Sequence, residues 1–265
     1  MKTRITELLG ITYPIICGGM RWLAKPQLCA AISNAGGLGN LTSGNYNSGD
    51  EFRRAINEVR KLTDKPFDVN ITFMPSVRIT KELHQEYFRI CCEEKITALE
   101  ISGVPVDKYL GPEFISMAKE ARMKLMHKVG SVRHAKHAEA VGYDAVIVVG
   151  VEEGGHPFDD DVTTIVLTPK ACESVGIPVI TGGGIADGRT MAAAMVLGAE
   201  GVMIASRFAA TNECQVHPRF KEELIRRQEN DTALICKTIN QQMRALKNER
   251  VCRVLEIEAC HGEFD

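Results

Sequence analysis

The chain has 265 residues, of which 45% are hydrophobic and 25% charged, and its formal net charge is −2. This composition is typical of a globular protein with a full core, and it excludes a strongly basic surface for nucleic acid or anionic lipid as the main binding face. No apolar run reaches the ~20 residues that cross a bilayer, and residues 1–10 lack the apolar segment of an export signal.

Short apolar segments rich in β-branched residues alternate with amphipathic segments along the chain. The predicted strands are 13–18, 39–43, 67–72, 98–102, 125–129, 145–149, 178–181 and 201–205, and the predicted helices between them are 26–35, 50–62, 81–94, 112–121, 133–141, 169–175 and 188–197. Repeated strand–helix units with strands apolar on both faces predict a parallel sheet. Eight of them favour an α/β fold closed as a (β/α)8 TIM barrel over an open doubly wound sheet.

Beyond the eighth strand the pattern predicts a helix over 217–228 and a polar helical tail from residue 233 to about 258. We therefore divide the chain into a barrel over residues 1–230 and a helical C-terminal tail over 231–265 that packs on it. The Lys and Arg residues of the tail are interpreted as a solvated face.

Nine cysteines are present, an odd number without any CxxC pair. With no export signal and no metal-type spacing, this pattern favours reduced thiols in the cytoplasm and predicts no metal site. Most of the cysteines are expected to be small core residues.

A glycine turn, Gly182-Gly183-Gly184, follows the seventh predicted strand, and small residues follow the eighth. Turns of this kind expose backbone N–H groups that can surround a phosphate, and in a barrel the loops after strands 7 and 8 are the expected phosphate site. The run is not a dinucleotide fingerprint, which requires the first strand–helix unit and a different spacing.

Polar or glycine residues also mark the ends of three other strands. Gly18 and Gly19 after strand 1 would let a planar ligand approach the backbone, or form a plain tight turn. Asn70 and Thr72 lie at the end of strand 3. They are either residues of the binding site, or Asn70 is a structural amide whose hydrogen bonds are satisfied within the protein. Lys128 lies within the apolar strand 5, where an ammonium is costly unless it meets an anion, a polar cavity or a structural ion-pair partner.

The sixth strand continues into Gly154-Gly155-His156. Paired glycines bring the backbone close to a ligand, and an imidazole there can act as an acid, a base or a hydrogen-bond donor near neutral pH. The following run at 159–161 is acidic, but consecutive carboxylates do not converge on one ion, so we predict a solvated loop rather than a metal site.

Six motifs in fixed order make the chain resemble the nitronate monooxygenase family of FMN-containing barrels. They are Tyr-Pro-Ile-x-x-Gly-Gly-Met at 13–20, Ser-Asn-Ala-Gly-Gly-Leu-Gly at 33–39, Thr-Asp-Lys-Pro-Phe-x-Val-Asn at 63–70, Gly-Gly-His at 154–156, Gly-Gly-Ile-Ala-Asp-Gly-Arg at 183–189 and Ser-Arg-Phe at 206–208. The group also includes flavin-dependent enoyl-ACP reductases and NADH:quinone reductases. The runs around 156–161 and 213–218 look most like the quinone reductase branch.

The resemblance implies FMN in the barrel mouth, with His156 as the catalytic residue. The backbone of Gly183, Gly184, Ala205 and Ser206 would hold the phosphate. The flavin ring would lie near Gly18, Gly19 and Met20, with Thr72, Lys128 and Gly154 contacting the ring or ribityl chain and Asn70, Gly155 and Gly182 as further contacts. A cation at Lys128 would stabilise a reduced, anionic flavin.

Three features depart from the family pattern. Phe158 stands where glycine is usual, Glu153 stands where a small residue is common, and relatives usually continue beyond the equivalent of position 265. We expect these differences to affect the shape of the pocket, its charge and its closure, respectively.

The sequence supports three functional hypotheses. The first is oxidation of alkyl nitronates such as propionate 3-nitronate with O2. The second is NAD(P)H-dependent reduction of a quinone or an enoyl thioester at the same FMN site. The third is a flavin-binding protein without turnover. Each implies a small-molecule ligand, with neither nucleic acid nor membrane as partner, and a homodimer is the candidate assembly.

Overall fold

Eight parallel strands form a nearly closed barrel in the computed structural model, which describes residues 1–74 and 78–260. The strands are β1 Ile15–Cys17, β2 Gly39–Thr42, β3 Phe67–Phe73, β4 Ala98–Gly103, β5 Lys124–Val129, β6 Ala145–Val149, β7 Val179–Gly182 and β8 Gly201–Ile204. They pair in the order β1-β8-β7-β6-β5-β4-β3-β2. The Leu38 N–H donates to the Ile15 carbonyl, and the Cys17 N–H donates to the Leu38 carbonyl, each at 2.9 Å. These bonds join β1 to β2, and the predicted (β/α)8 TIM barrel is confirmed.

Helices fill the connections between the strands and extend the chain beyond them. They are α1 Arg4–Leu9, α2 Pro26–Asn34, α3 Gly49–Leu62, α4 Lys81–Glu93, α5 Val106–Tyr109, α6 Glu113–Glu120, α7 Val132–Val141, α8 Thr164–Cys172, α9 Gly188–Val196, α10 Ser206–Ala209, α11 Pro218–Arg226 and α12 Glu249–Cys260. None of the helices in the described ranges has the length and apolar character that a membrane crossing requires.

Helix α3 shows how the local sequence specifies these helices. The Ser48 side chain accepts a hydrogen bond from the Glu51 N–H at 3.2 Å, which satisfies a donor that the first turn leaves open. Phe52, Ile56 and Val59 follow at helical spacing and are fully buried. The helix therefore buries one apolar stripe against the barrel and exposes its charged face.

The inner face of the barrel is apolar toward the amino ends of its strands. Alternate residues of the strands point inward, and they form one buried cluster with Ile5 and Leu9 of α1. The inward members are Ile16, Leu38, Ala98, Met126, Ala145, Ile147, Val149, Ile180 and Met203. Helix α1 thus closes the bottom of the barrel, and a ligand must enter from the carboxyl ends of the strands.

The helix predicted over 169–175 begins earlier, at Thr164, and contains Pro169 inside it. Proline is favoured in the first turn of a helix, which is why the sequence pattern suggested a start at Pro169. The Glu152 carboxylate accepts from the Thr164 N–H at 3.0 and 3.1 Å. This contact from the preceding loop caps the helix start, and local sequence does not show it.

The C-terminal tail is helical only in its second part, so the prediction of helix from residue 233 is wrong there. Strands β9 Thr232–Ile235 and β10 Met243–Leu246 form an antiparallel hairpin before α12 begins at Glu249. In addition, the Arg244 N–H donates to the Gly155 carbonyl at 2.6 Å and the Gly155 N–H donates to the Arg244 carbonyl at 3.1 Å. These two hydrogen bonds to the barrel favour an extended conformation of the segment around Arg244 over a helix. Residues 261–265 of the predicted tail lie outside the described residues.

All nine cysteines are free thiols in the structure. Cys17, Cys29, Cys91 and Cys214 are buried. Burial raises the pKa of the Cys17, Cys29 and Cys91 thiols well above the ordinary value, so these side chains remain neutral and contribute as small core residues.

Acid should destabilise the fold through the buried His84. Its ring packs edge-on against Phe73 and Tyr109, with centroids 5.1 and 5.5 Å apart. Burial lowers the pKa of His84 from 6.5 to about 4. In this pH range His84 therefore binds a proton in the unfolded chain but not in the folded chain. The free energy of unfolding decreases as the pH falls from about 6.5 toward 4. His84→Gln should remove roughly 2–3 kcal/mol of the loss in unfolding free energy between pH 7 and about pH 4.5.

Urea denaturation of both proteins at the two pH values measures this difference. Equal losses in the wild type and in His84→Gln would show that His84 does not contribute to the acid sensitivity.

Candidate active site

The carboxyl half of the barrel interior is polar, in contrast to its apolar bottom. Strand register aligns Asn40 with Asp68, and Asn70 with Glu100. These four side chains take the inward positions of β2, β3 and β4, and all are buried. On β5 Met126 aligns with Glu100, and Lys128 is the next inward residue, aligned with the inward Ile147 of β6.

Glu100 is the centre of this polar group. Its Oε2 accepts from the Gly19 N–H at 2.9 Å and from Asn40 Nδ2 at 3.4 Å, and its Oε1 accepts from the Ser102 hydroxyl at 2.9 Å. Burial raises the pKa of Glu100, although the nearby Lys128 ammonium opposes the shift. The carboxylate therefore anchors the Gly18–Gly19 turn over the open end of the barrel.

Asp68 lies next to it and is fully buried. Its Oδ1 accepts from Asn40 Nδ2 at 2.9 Å, while Oδ2 has no hydrogen-bond partner within the described part of the chain. Burial and the neighbouring Glu100 raise the pKa of Asp68 well above the ordinary value, which favours a protonated carboxyl. Sequence reasoning missed Asp68, Glu100 and Asn40. The available signal was an acidic residue inside an apolar strand, at the same alternate positions as Asn70.

Lys128 forms an ion pair with Glu153. The distance between Lys128 Nζ and Glu153 Oε1 is 2.6 Å, and the two side chains are only 17% and 15% exposed. Burial lowers the pKa of Lys128, but the charges of Glu153 and Glu100 outweigh it, so the net shift is upward and the ammonium persists. The ion pair that the sequence allowed is therefore present, and a ligand role for Lys128 remains a prediction.

The loop after β6 places His156 at the rim. Arg244 fixes this loop: its guanidinium donates to the Val151 carbonyl at 3.0 and 2.9 Å, and its backbone pairs with Gly155. His156 is exposed, yet the surrounding protein and the Lys128 charge lower its pKa, while Glu153 opposes them. The imidazole is therefore mostly neutral at pH 7 and can either donate or accept a proton.

Phe158 lies in the same loop, two residues after His156. It packs against the apolar interior of the barrel, and a Cβ at Gly130 would overlap its ring. Its carbonyl accepts from Gln242 Nε2 at 3.0 Å. The large side chain is accommodated because the end of β5 has a glycine at this point. The acidic residues 159–161 are exposed, as predicted for a solvated loop.

The glycine turn after β7 has the backbone conformation that a ligand cradle needs. Gly183 and Gly184 have φ angles of +93° and +71°, which disfavour other residues. Their N–H groups have no acceptor among the residues described. The Thr164 hydroxyl lies 3.0 Å from the Gly183 carbonyl oxygen and 3.0 Å from a carboxylate oxygen of Glu152. These contacts stabilise the turn.

The structure brings most of the sequence-predicted site residues to this one end. A Cβ at Gly18 would lie 3.6 Å from the Ala205 Cβ, and a Cβ at Gly154 would lie 3.6 Å from the Ser206 hydroxyl oxygen. A Cβ at Gly19 would overlap Asn70. Thr72 is the exposed residue of β3 and donates to Asn70 Oδ1 at 3.2 Å.

Two predicted residues are less directly placed. The Met20 side chain packs with Cys17 and Leu28 in a cluster between helices, although its N–H donates to the Thr42 hydroxyl at the mouth. Gly182 is buried within β7, and its carbonyl already accepts from Thr164. Both remain predictions as cofactor contacts.

Comparison with known proteins agrees with the sequence motifs. The profile of the nitronate monooxygenase family matches residues 2–261. An octahydro-indene carboxyl-CoA dehydrogenase from Rhodococcus jostii is 36% identical, covering 95% of this chain and 67% of the relative. A probable nitronate monooxygenase from Staphylococcus saprophyticus is 32% identical, covering 97% of this chain and 82% of the relative.

Solved structures show the same relationship. FabK from Thermotoga maritima is 41% identical with a TM-score of 0.89, covering 97% of this chain and 78% of FabK. A nitroalkane oxidase from Streptomyces ansochromogenes is 27% identical with a TM-score of 0.81, covering 94% of this chain and 80% of the oxidase. The chain therefore belongs to the nitronate monooxygenase family of flavin-dependent oxidoreductases.

Proposed function

We propose that the flavin is FMN and that it binds in the mouth of the barrel. The observation that supports this most is the cradle at Gly183 and Gly184, whose left-handed turn offers N–H donors suited to a single phosphate. Ser206 and Gly154 lie together beside it. Lys128 lies in the same mouth, where its ammonium is paired with Glu153.

In this proposal the flavin supplies the redox chemistry, accepting electrons or a hydride from one substrate and passing them to another. The residues of the chain bind and orient. The turn at Gly18 and Gly19, which Glu100 holds in place, would lie against the ring. His156 orients the substrate from the rim and, being mostly neutral, can hold or donate a proton at its ring nitrogen.

We infer that the preferred second substrate is an uncharged acceptor, a quinone or an enoyl thioester, with NAD(P)H as the reductant. The supporting observation is the 2.6 Å pair between Lys128 and Glu153, because a neutralised lysine attracts an anion weakly. This reverses the order of the two hypotheses that the sequence suggested. Oxidation of a nitronate stays as the second candidate, favoured by the family match and by the structural similarity to a nitroalkane oxidase.

Anaerobic mixing of the purified protein with NADH, NADPH and propionate 3-nitronate tests these proposals. We expect a flavin absorption spectrum, release of FMN rather than FAD on denaturation, and bleaching by NADH or NADPH. Reduction by the nitronate alone would overturn the reductase proposal in favour of the second candidate. A protein that cannot take up FMN would overturn the cofactor assignment.

Substitution in the glycine turn should weaken the binding of FMN. In Gly184→Ala the positive φ costs ~1–2 kcal/mol, and the new Cβ would lie 3.5 Å from Glu152. We expect the dissociation constant for FMN, measured by quenching of flavin fluorescence, to rise about tenfold. Gly188→Ala is the matched control, since a Cβ there meets nothing within 4 Å and its φ is not positive. Equal affinities of the two variants would contradict the proposed cradle.

Removal of the imidazole should separate binding from turnover. His156→Asn should retain FMN with unchanged stoichiometry, because His156 lies at the exposed rim rather than in the cradle. Its turnover with NAD(P)H and a quinone should fall about 100-fold, the usual scale of a lost acid–base group. Steady-state kinetics on the flavin-loaded variant measures this change, and unaltered turnover would show that His156 is not catalytic.

A further inference from the structure

The Glu153 carboxylate is bound on one side only. Oε1 contacts Lys128 Nζ, whereas Oε2 is buried and has no hydrogen-bond partner in the described ranges. A buried oxygen left without a hydrogen-bond partner destabilises the folded state. An ion pair that served stability alone would not retain this penalty, so the carboxylate itself requires an explanation.

Charged groups from several elements of the fold surround this ion pair. Lys128 on β5 is the cation, and Glu100 on β4 and Glu153 in the loop after β6 both attract it. His156 feels Lys128 and Glu153 in opposite directions. Asp68 lies behind Glu100 and is favoured in its neutral form. The mouth next to the imidazole therefore holds one ammonium opposed by two carboxyl groups.

We propose that Glu153 is a specificity-determining residue that weakens the binding of small anions, such as nitronates, beside His156 and so favours uncharged substrates. This rests on the flavin oxidoreductase proposed above. An anion that approaches Lys128 meets the negative charge of Glu153 within the same partly buried site, where charges are poorly screened. Specificity then arises from a repulsive element rather than from an added attraction.

The test compares Glu153→Gln with Asp159→Asn in the FMN-loaded protein. Both variants remove one carboxylate from the same loop, but Asp159 is exposed, whereas Glu153 is the ion-pair partner of Lys128. The probes are nitrate, an unreactive planar anion, and menadione, an uncharged quinone. We expect the affinity for nitrate, measured by perturbation of the flavin spectrum, to rise about tenfold in Glu153→Gln. It should stay within about threefold of wild type in Asp159→Asn, and in Glu153→Gln the KM for menadione should change by a smaller factor than the affinity for nitrate.

Two further variants keep the test decisive. Glu153→Asp retains the charge and should keep the affinity for nitrate within about threefold of wild type. Glu153→Ala is a second neutral variant, used if Glu153→Gln does not fold, and it should bind nitrate as Glu153→Gln is expected to. Unchanged nitrate affinity in a folded, FMN-loaded neutral variant would overturn the proposal.

A measurement without flavin separates this proposal from the assignment of function. The His156 ring can be titrated by NMR in the flavin-free protein, where the pKa should fall in Glu153→Gln and stay in place in Asp159→Asn, because Glu153 raises it. If the protein takes up no FMN, the function proposed above fails. The titration still decides whether the charge of Glu153 controls the electrostatic potential at His156. An unmoved His156 pKa in the folded Glu153→Gln protein would count against that control.

Discussion

Closure of the barrel between β1 and β2 is the constraint on which the rest of the structure depends. The two hydrogen bonds of Leu38, to Ile15 and Cys17, complete the ring of parallel strands. In a closed ring each strand must turn alternate side chains inward, and the register fixes their height. Asp68, Asn70, Glu100 and Lys128 therefore meet at one end of the interior, although three different strands carry them. Their polarity is tolerated because that end is open to a ligand.

The loop that carries His156 depends on a part of the chain that is remote in sequence. Arg244 holds Gly155 through its backbone and Val151 through its guanidinium, and Gln242 holds the carbonyl of Phe158. A loop of this length would otherwise be free to adopt several conformations. The C-terminal hairpin thus positions the loop that carries His156. Its extended conformation therefore matters for the geometry of the site as well as for the packing of the tail.

The charge at the open end of the barrel depends on several neighbouring residues rather than on Lys128 alone. Lys128 alone would make the site attractive to anions, but Glu100 and Glu153 both face it. In a poorly screened environment such pairs decide which ligands are favoured, more than they add to stability. Glu153, which is expected to depart from the family pattern, adds a negative charge beside Lys128, whereas the large side chain of Phe158 packs against Gly130.

The sequence by itself determined the eight strands, most of the helices between them, the glycine turn after β7 and the position of His156, because these depend on local periodicity and on short motifs. It located Lys128 and left its partner open, and it missed Asp68 and Glu100, since their inward direction depends on register across strands. The start of α8 and the hairpin at 232–246 also differed from the prediction. Both are set by contacts with distant residues, Glu152 for the helix and Gly155 for the hairpin. Only the tertiary structure decided that Glu153 faces Lys128, because an ion pair between a strand and a loop is a property of packing and not of spacing along the chain.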